Sequence, residues 1–167
     1  MAKLPSAVVD VRSTDPIPDP IIPDSATNHW KIATGSGSTV YDDIGSDDAT
    51  INNATWSSGT WVDGYAIDFN NSDEYISAPT NSVLNDDVDH SLAFTFEPDN
   101  VLTAQNIWVQ ETNDSYISAT INSDSTISIS HFNTSVYTSA NGILSTGTKY
   151  RVFHSYDSSA GTGRIWV

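Results

Sequence analysis

Cysteine is absent from the 167 residues, which excludes disulfide staples, thiolate metal sites and cysteine nucleophiles. A domain of this length can bury enough core to do without a disulfide. Basic residues are nearly absent too: 6 Lys and Arg stand against 21 Asp and Glu, a net charge of −15. That sign repels a nucleic-acid duplex and an anionic bilayer alike, so neither nucleic acid nor membrane insertion is expected. With Lys so scarce and Asp far outnumbering Glu, the acidity suits concentrated salt, where screening removes the self-repulsion. No apolar run approaches the length of a membrane span. The opening MAKLPSAVVDVRS carries no apolar core segment, so no secretory signal peptide is expected. Good helix formers are rare and helical periodicity is missing, whereas Ser and Thr make up about a quarter of the chain. This balance predicts an all-β fold of short strands and turns.

Residues 1–27 read as a separate extended arm. Asp15-Pro16, Pro18-Asp19-Pro20 and Pro23-Asp24 remove backbone donors and favour polyproline II geometry. Val8, Val9, Ile17, Ile21 and Ile22 offer side chains for docking grooves on a partner, either sister subunits in a homo-oligomer or other proteins of a larger particle. The arm is expected to order only on contact with that partner. A single domain is expected over 28–167. Its strands are predicted at 29–33, 49–51, 65–69, 75–78, 91–97, 106–111, 116–121, 126–131, 136–139, 150–156 and 163–167. Period-two alternation puts Leu92, Phe94 and Phe96 on one face, Ile127 and Ile129 on another, and Tyr150, Val152 and His154 on a third.

Five stretches carry a resemblance: HWKIATGSGSTVYDDIGSDDATINNATW from His29, GYAIDFNNSDEYISAP from Gly64, SLAFTFEPD from Ser91, TKYRVFHSYD from Thr148 and GRIWV from Gly163. In pattern and order they resemble the laminin-G-like, concanavalin A-like jelly-roll domains. The resemblance implies a two-sheet antiparallel jelly-roll sandwich that displays loops for binding. In that family the last of these strands leads into further strands that close the sandwich. The chain here ends at Val167, so the expectation is that it continues further or that another chain supplies the missing strands.

Catalytic signatures are missing. Related sandwiches that cleave glucans use closely spaced carboxylates on one strand. The only glutamates here, Glu74, Glu97 and Glu111, form no such arrangement. The pairs Asp42-Asp43, Asp47-Asp48 and Asp86-Asp87 fall in polar loops and read as solvated charge. His29, His90, His131 and His154 show no zinc-ligand spacing, and no nucleophile elbow occurs. Calcium is the cofactor considered. The hairpin with Asp68, Asn70, Asn71, Asp73 and Glu74 supplies the hard oxygen donors such an ion prefers, with Asp42, Asp43 and Asp157 as further candidates. The same residues also suit an Asx-type turn with charged tips.

Five tryptophans are many for so polar a chain. Strand position predicts Trp30 and Trp166 in the core. Trp56 and Trp61 flank a Ser/Gly/Thr loop and are candidates for an exposed sugar-binding platform, and Trp108 is a third candidate whose face alternation leaves open. Sequons at Asn53, Asn70, Asn113 and Asn133 are about as many as this composition produces by chance.

The expected function is non-enzymatic: a surface recognition and adhesion module, as on the virion of a virus infecting a halophilic host, binding a host glycan or glycoprotein. An extracellular role without an export signal fits release by lysis. The alternative is a purely structural assembly or decoration protein. A glucan-active hydrolase is a third reading, against which the glutamate inventory stands.

Overall fold

The computed structural model describes residues 26–59, 64–70, 72–79, 88–111, 116–131 and 135–167. They contain no helix, and every strand pairing among them is antiparallel, so the chain is all-β as its composition predicts. The chain forms two compact units, Met1–Ser82 and Val83–Val167. The N-terminal segment with Val8, Val9, Ile17, Ile21 and Ile22 lies outside the described residues.

The first unit holds β1 (Thr39–Val40), β2 (Ala49–Asn52), β3 (Thr55–Ser58), β4 (Tyr65–Asp68) and β5 (Tyr75–Ser77). One sheet has the order β1-β2-β5, and β3 pairs with β4 as a hairpin. Val40, Ala49, Ile51 and Ile67 form its buried core, with Trp30, Ile32, Trp56 and Ile76 packed around them. The strand expected at 29–33 is reduced to a single bridge between Trp30 and Asp42. The reason is local. The His29 backbone N–H, which a ladder would use, donates instead to the Asp42 carboxylate at 2.8 Å.

The second unit holds β6 (His90–Phe96), β7 (Gln105–Glu111), β8 (Tyr116–Ile121), β9 (Ile127–His131), β10 (Ser135–Thr138), β11 (Tyr150–Asp157) and β12 (Thr162–Trp166). A four-stranded sheet of order β10-β9-β8-β7 packs face to face on a three-stranded sheet of order β12-β11-β6. From the first sheet Ile117, Ile127 and Ile129 are fully buried, and from the second Val152. Phe94, Phe96 and Ile165 pack against them from β6 and β12. Burying one such aliphatic side chain is worth about 1.5–3 kcal/mol, so these residues dominate the unit's stability. The predicted alternations hold: Leu92, Phe94 and Phe96 face inward, as do Ile127 and Ile129, and Tyr150, Val152 and His154.

Alternation fails in β7. The register shifts between Asn106 and Trp108, a β-bulge. Ile107 packs into the core while Val109, two residues on, is exposed. An extra residue on one strand re-aims every side chain after it, which parity in the sequence does not reveal.

Candidate functional site

Three histidines meet inside the second unit. His90 opens β6, His131 closes β9 and His154 sits in mid-β11. Each lies on the inward parity of its strand. Pairing sets their heights, with His90 opposite Tyr156 and His154 opposite Leu92 in one sheet, while His131 comes from the other. Each ring offers a nitrogen, and these three atoms lie within 4.8 Å of one another. His131 and His154 are almost wholly buried. No two of these histidines have zinc-ligand spacing in the sequence; β-strands remote in sequence bring the rings together.

Hydrogen bonds assign the protons. His154 Nδ1 lies 2.9 Å from the Arg164 carbonyl oxygen, and His90 Nδ1 lies 3.1 Å from that of Val88. A carbonyl only accepts, so both Nδ1 atoms carry hydrogen, and in the neutral tautomer this selects, Nε2 presents the lone pair. His154 Nε2 takes a hydrogen bond from His131 Nε2 at 2.9 Å. His90 Nε2 is buried with no hydrogen-bond partner. Burial and the neighbouring His131 and His90 push the His154 pKa down to about 4, against the opposing bond to Arg164, so its ring is neutral at neutral pH.

Aromatic rings enclose the cluster. Tyr156 stacks on His131 at 4.4 Å between centroids, and His90 stacks on the same ring at 5.1 Å. Tyr137 lies 5.5 Å from His154 and edge-on to His131. Gly163, opposite Tyr156 on β12, makes room for this packing: a Cβ there would stand 2.9 Å from the Tyr137 ring and 3.0 Å from His154 Cε1.

The calcium candidates are placed differently. In the hairpin after β4, the Asn70 backbone N–H donates to the Glu74 carboxylate, and Asn53 Nδ2 donates to the Asp73 backbone and side-chain oxygens at 3.3 Å each. Asp68 lies in β4 opposite Thr55, and Asn71 lies outside the described residues. The Glu74 carboxylate thus closes the turn, and Asn53 ties Asp73 to the β2–β3 connection.

Asp42, expected as solvated charge or a metal ligand, is instead buried. Its Oδ1 accepts from the N–H groups of His29, Ile44 and Gly45, and its Oδ2 accepts from Asn28 Nδ2 at 2.7 Å and the Asp47 N–H at 3.4 Å. Burial opposes its ionisation, but the bonds from His29, Gly45, Asn28 and Ile44 outweigh it and hold the carboxyl well below the usual carboxylate range. A carboxylate that accepts from so many N–H donors organises its own loop. Asp43 contacts the His29 ring, with its Oδ1 2.6 Å from Nδ1. Asp157 accepts from the Ser159 hydroxyl and the Ala160 N–H, closing the β11–β12 turn.

The tryptophans also depart from expectation. Trp56 is half-buried against the first unit's core. Its indole N–H donates to the Gly37 carbonyl at 2.7 Å and its ring meets Tyr65 edge-on, which anchors it on that core. Trp61 lies outside the described residues. The Trp108 backbone pairs with Ala119 after the bulge, and its side chain lies outside the described set. Trp30 is partly buried on the core, as predicted. Trp166, expected in the core, is 43% exposed. The pairs His154–Ile165 and Tyr156–Gly163 turn Ile165 inward and Trp166 outward.

An exposed face of different composition results. Trp166 and the 41% exposed Phe153 are register partners whose ring centroids lie 5.2 Å apart. Arg151 and Arg164 share the outward parity of their strands with this pair, two of the chain's six basic residues. The signal in the sequence was the alternation of Arg151, Phe153 and Ser155 against the inward residues of β11.

No protein-family model, no curated protein and no solved structure matches this chain.

Proposed function

We propose that the protein is a non-enzymatic recognition module that binds acidic glycans on the outward face formed by β11 and β12. The observation that carries this reading is the exposed Phe153–Trp166 pair flanked by Arg151 and Arg164. Aromatic faces match the C–H faces of sugar rings, and a guanidinium fork matches a carboxylate or sulfate. Two arginines beside an aromatic pair, on a chain of net charge −15, select an anionic sugar. In molar salt the screening length falls to about 3 Å, so the arginines act by direct hydrogen-bonded contact and not by long-range steering.

The setting proposed is extracellular and saline, as on the surface of a halophilic virus particle that meets host glycan or glycoprotein. The all-β fold supports this reading, as does the resemblance to laminin-G-like jelly-roll domains. Weak individual sites gain avidity from repeated display. The second reading, an assembly or decoration role, is favoured by a specific feature: among the described residues, the outer edge of β12 pairs with no strand.

Binding of the full chain to an acidic polysaccharide and to a neutral one, in molar salt, tests the proposal. Saturable binding to the acidic polymer, lost in Trp166→Ala and weakened in Arg164→Ala, is the expected result. Equal retention of both polymers, or none, overturns it.

A further inference from the structure

We propose that His90, His131 and His154 form a binding site for one divalent transition-metal ion of borderline softness, zinc being the best fit, which ties together the two sheets of the second unit. The donor set selects the class. Three imidazole nitrogens and no carboxylate suit zinc and its neighbours and disfavour calcium and magnesium.

Two of the three rings are already held as ligands are held in metal sites. His154 and His90 each give the Nδ1 hydrogen to a backbone carbonyl, which fixes the tautomer and aims the Nε2 lone pair at the cluster. His90 Nε2 is the strongest single observation. A buried acceptor left without a donor is costly, and a metal ion would satisfy it. Nitrogens about 2.0–2.1 Å from a tetrahedral zinc stand on the order of 3.3 Å apart. The His131–His154 separation of 2.9 Å is close to that, and His90 needs only a modest swing. On loading, His131 gives up its Nε2 hydrogen and takes the neutral form protonated at Nδ1. The hydrogen bond between the two rings is then replaced by two metal bonds. Tyr137 and Tyr156 shield the site, and Gly163 leaves the space it needs.

The location gives the ion its role. His90 and His154 belong to the β12-β11-β6 sheet and His131 to the opposite sheet. An ion bridging them does for this cysteine-free sandwich what a cross-sheet disulfide does elsewhere.

The test uses the untagged full chain, stripped with a chelator and dialysed, then titrated with zinc chloride in the presence of excess calcium. Uptake of one zinc per chain with a rise in Tm of several degrees is expected, and cobalt is expected to show the visible absorption of a four-coordinate nitrogen site. His90→Gln, at the rim of the cluster, should keep its far-UV circular dichroism. It should lose zinc affinity by more than the roughly 10–100-fold that outer-shell changes cost. Any of three results overturns the proposal: no saturable zinc uptake by the folded wild-type chain, uptake that is unchanged in folded His90→Gln, or uptake abolished by calcium, as binding to surface carboxylates would be.

Discussion

The Nε2 atoms of His131 and His154 lie 2.9 Å apart, although the two residues belong to opposite sheets and are separated by 23 positions in the chain. This contact joins the layers of the second unit at a polar point in an otherwise apolar core. The packing around it leads to the first prediction.

Gly163→Ala should disturb the cluster without altering the β11–β12 turn, because its Cβ meets the Tyr137 ring at 2.9 Å and His154 Cε1 at 3.0 Å. Overpacking of this kind costs about 1–3 kcal/mol. Urea unfolding should show a lower midpoint at an unchanged slope, and the histidine ring resonances should shift. An unchanged midpoint would mean that Tyr137 yields freely.

Asp42 should make the stability of the first unit acid-sensitive. Its folded pKa lies below the value of about 3.9 for an unfolded Asp, so the unfolded chain binds the proton more readily. The stabilisation is complete above about pH 5 and is lost as the pH falls through 4 and below. Asp42→Asn, which puts a donor where N–H groups converge, should cost about 2 kcal/mol or more at pH 7 and flatten this dependence. Unfolding free energies of both proteins between pH 7 and pH 3 check it; parallel curves would remove Asp42 as the cause.

Gly45→Ala should damage the same loop by a different route. A Cβ on Gly45 collides with Asp42 Oδ2 and stands 2.9 Å from the Thr27 carbonyl oxygen. A loss of about 1–3 kcal/mol is expected. In the Asp42→Asn background the two losses should not add, because both act on one hydrogen-bonded network. Strict additivity in a double-mutant cycle would contradict the network.

The bulge in β7 predicts opposite outcomes for two residues of equal parity. Ile107→Ala should cost about 2 kcal/mol, because Ile107 packs into both clusters of the core. Val109→Ala, at a position 43% exposed, should stay within about 0.5 kcal/mol. Equal losses in chemical unfolding would mean that β7 runs without the irregularity.

Much of this architecture was legible in the sequence. Composition alone specified an all-β chain, because too few helix formers remain to build a helix and the β-branched residues alternate. Most strand bounds fall within a residue or two of prediction, since Asn, Asp and Gly turns punctuate the chain. Parity even marked the cluster: His90 shares the alternation of Leu92 and Phe94, His131 that of Ile127 and Ile129, and His154 that of Tyr150 and Val152. Inward-facing histidines were therefore readable one strand at a time. Trp166 was misplaced because the direction a strand faces depends on the residue its neighbour aligns with it, and His154 aligns Ile165. Asp42 was misjudged because its burial depends on N–H groups from Asn28 and His29, 14 and 13 positions away, that only the folded chain brings to it. What the sequence by itself determined was strand content and which side chains alternate, since both depend on covalent geometry over a few residues. What only the tertiary structure decided was the height at which three strands from two sheets meet, because that is set by register and layer packing between residues far apart in the chain.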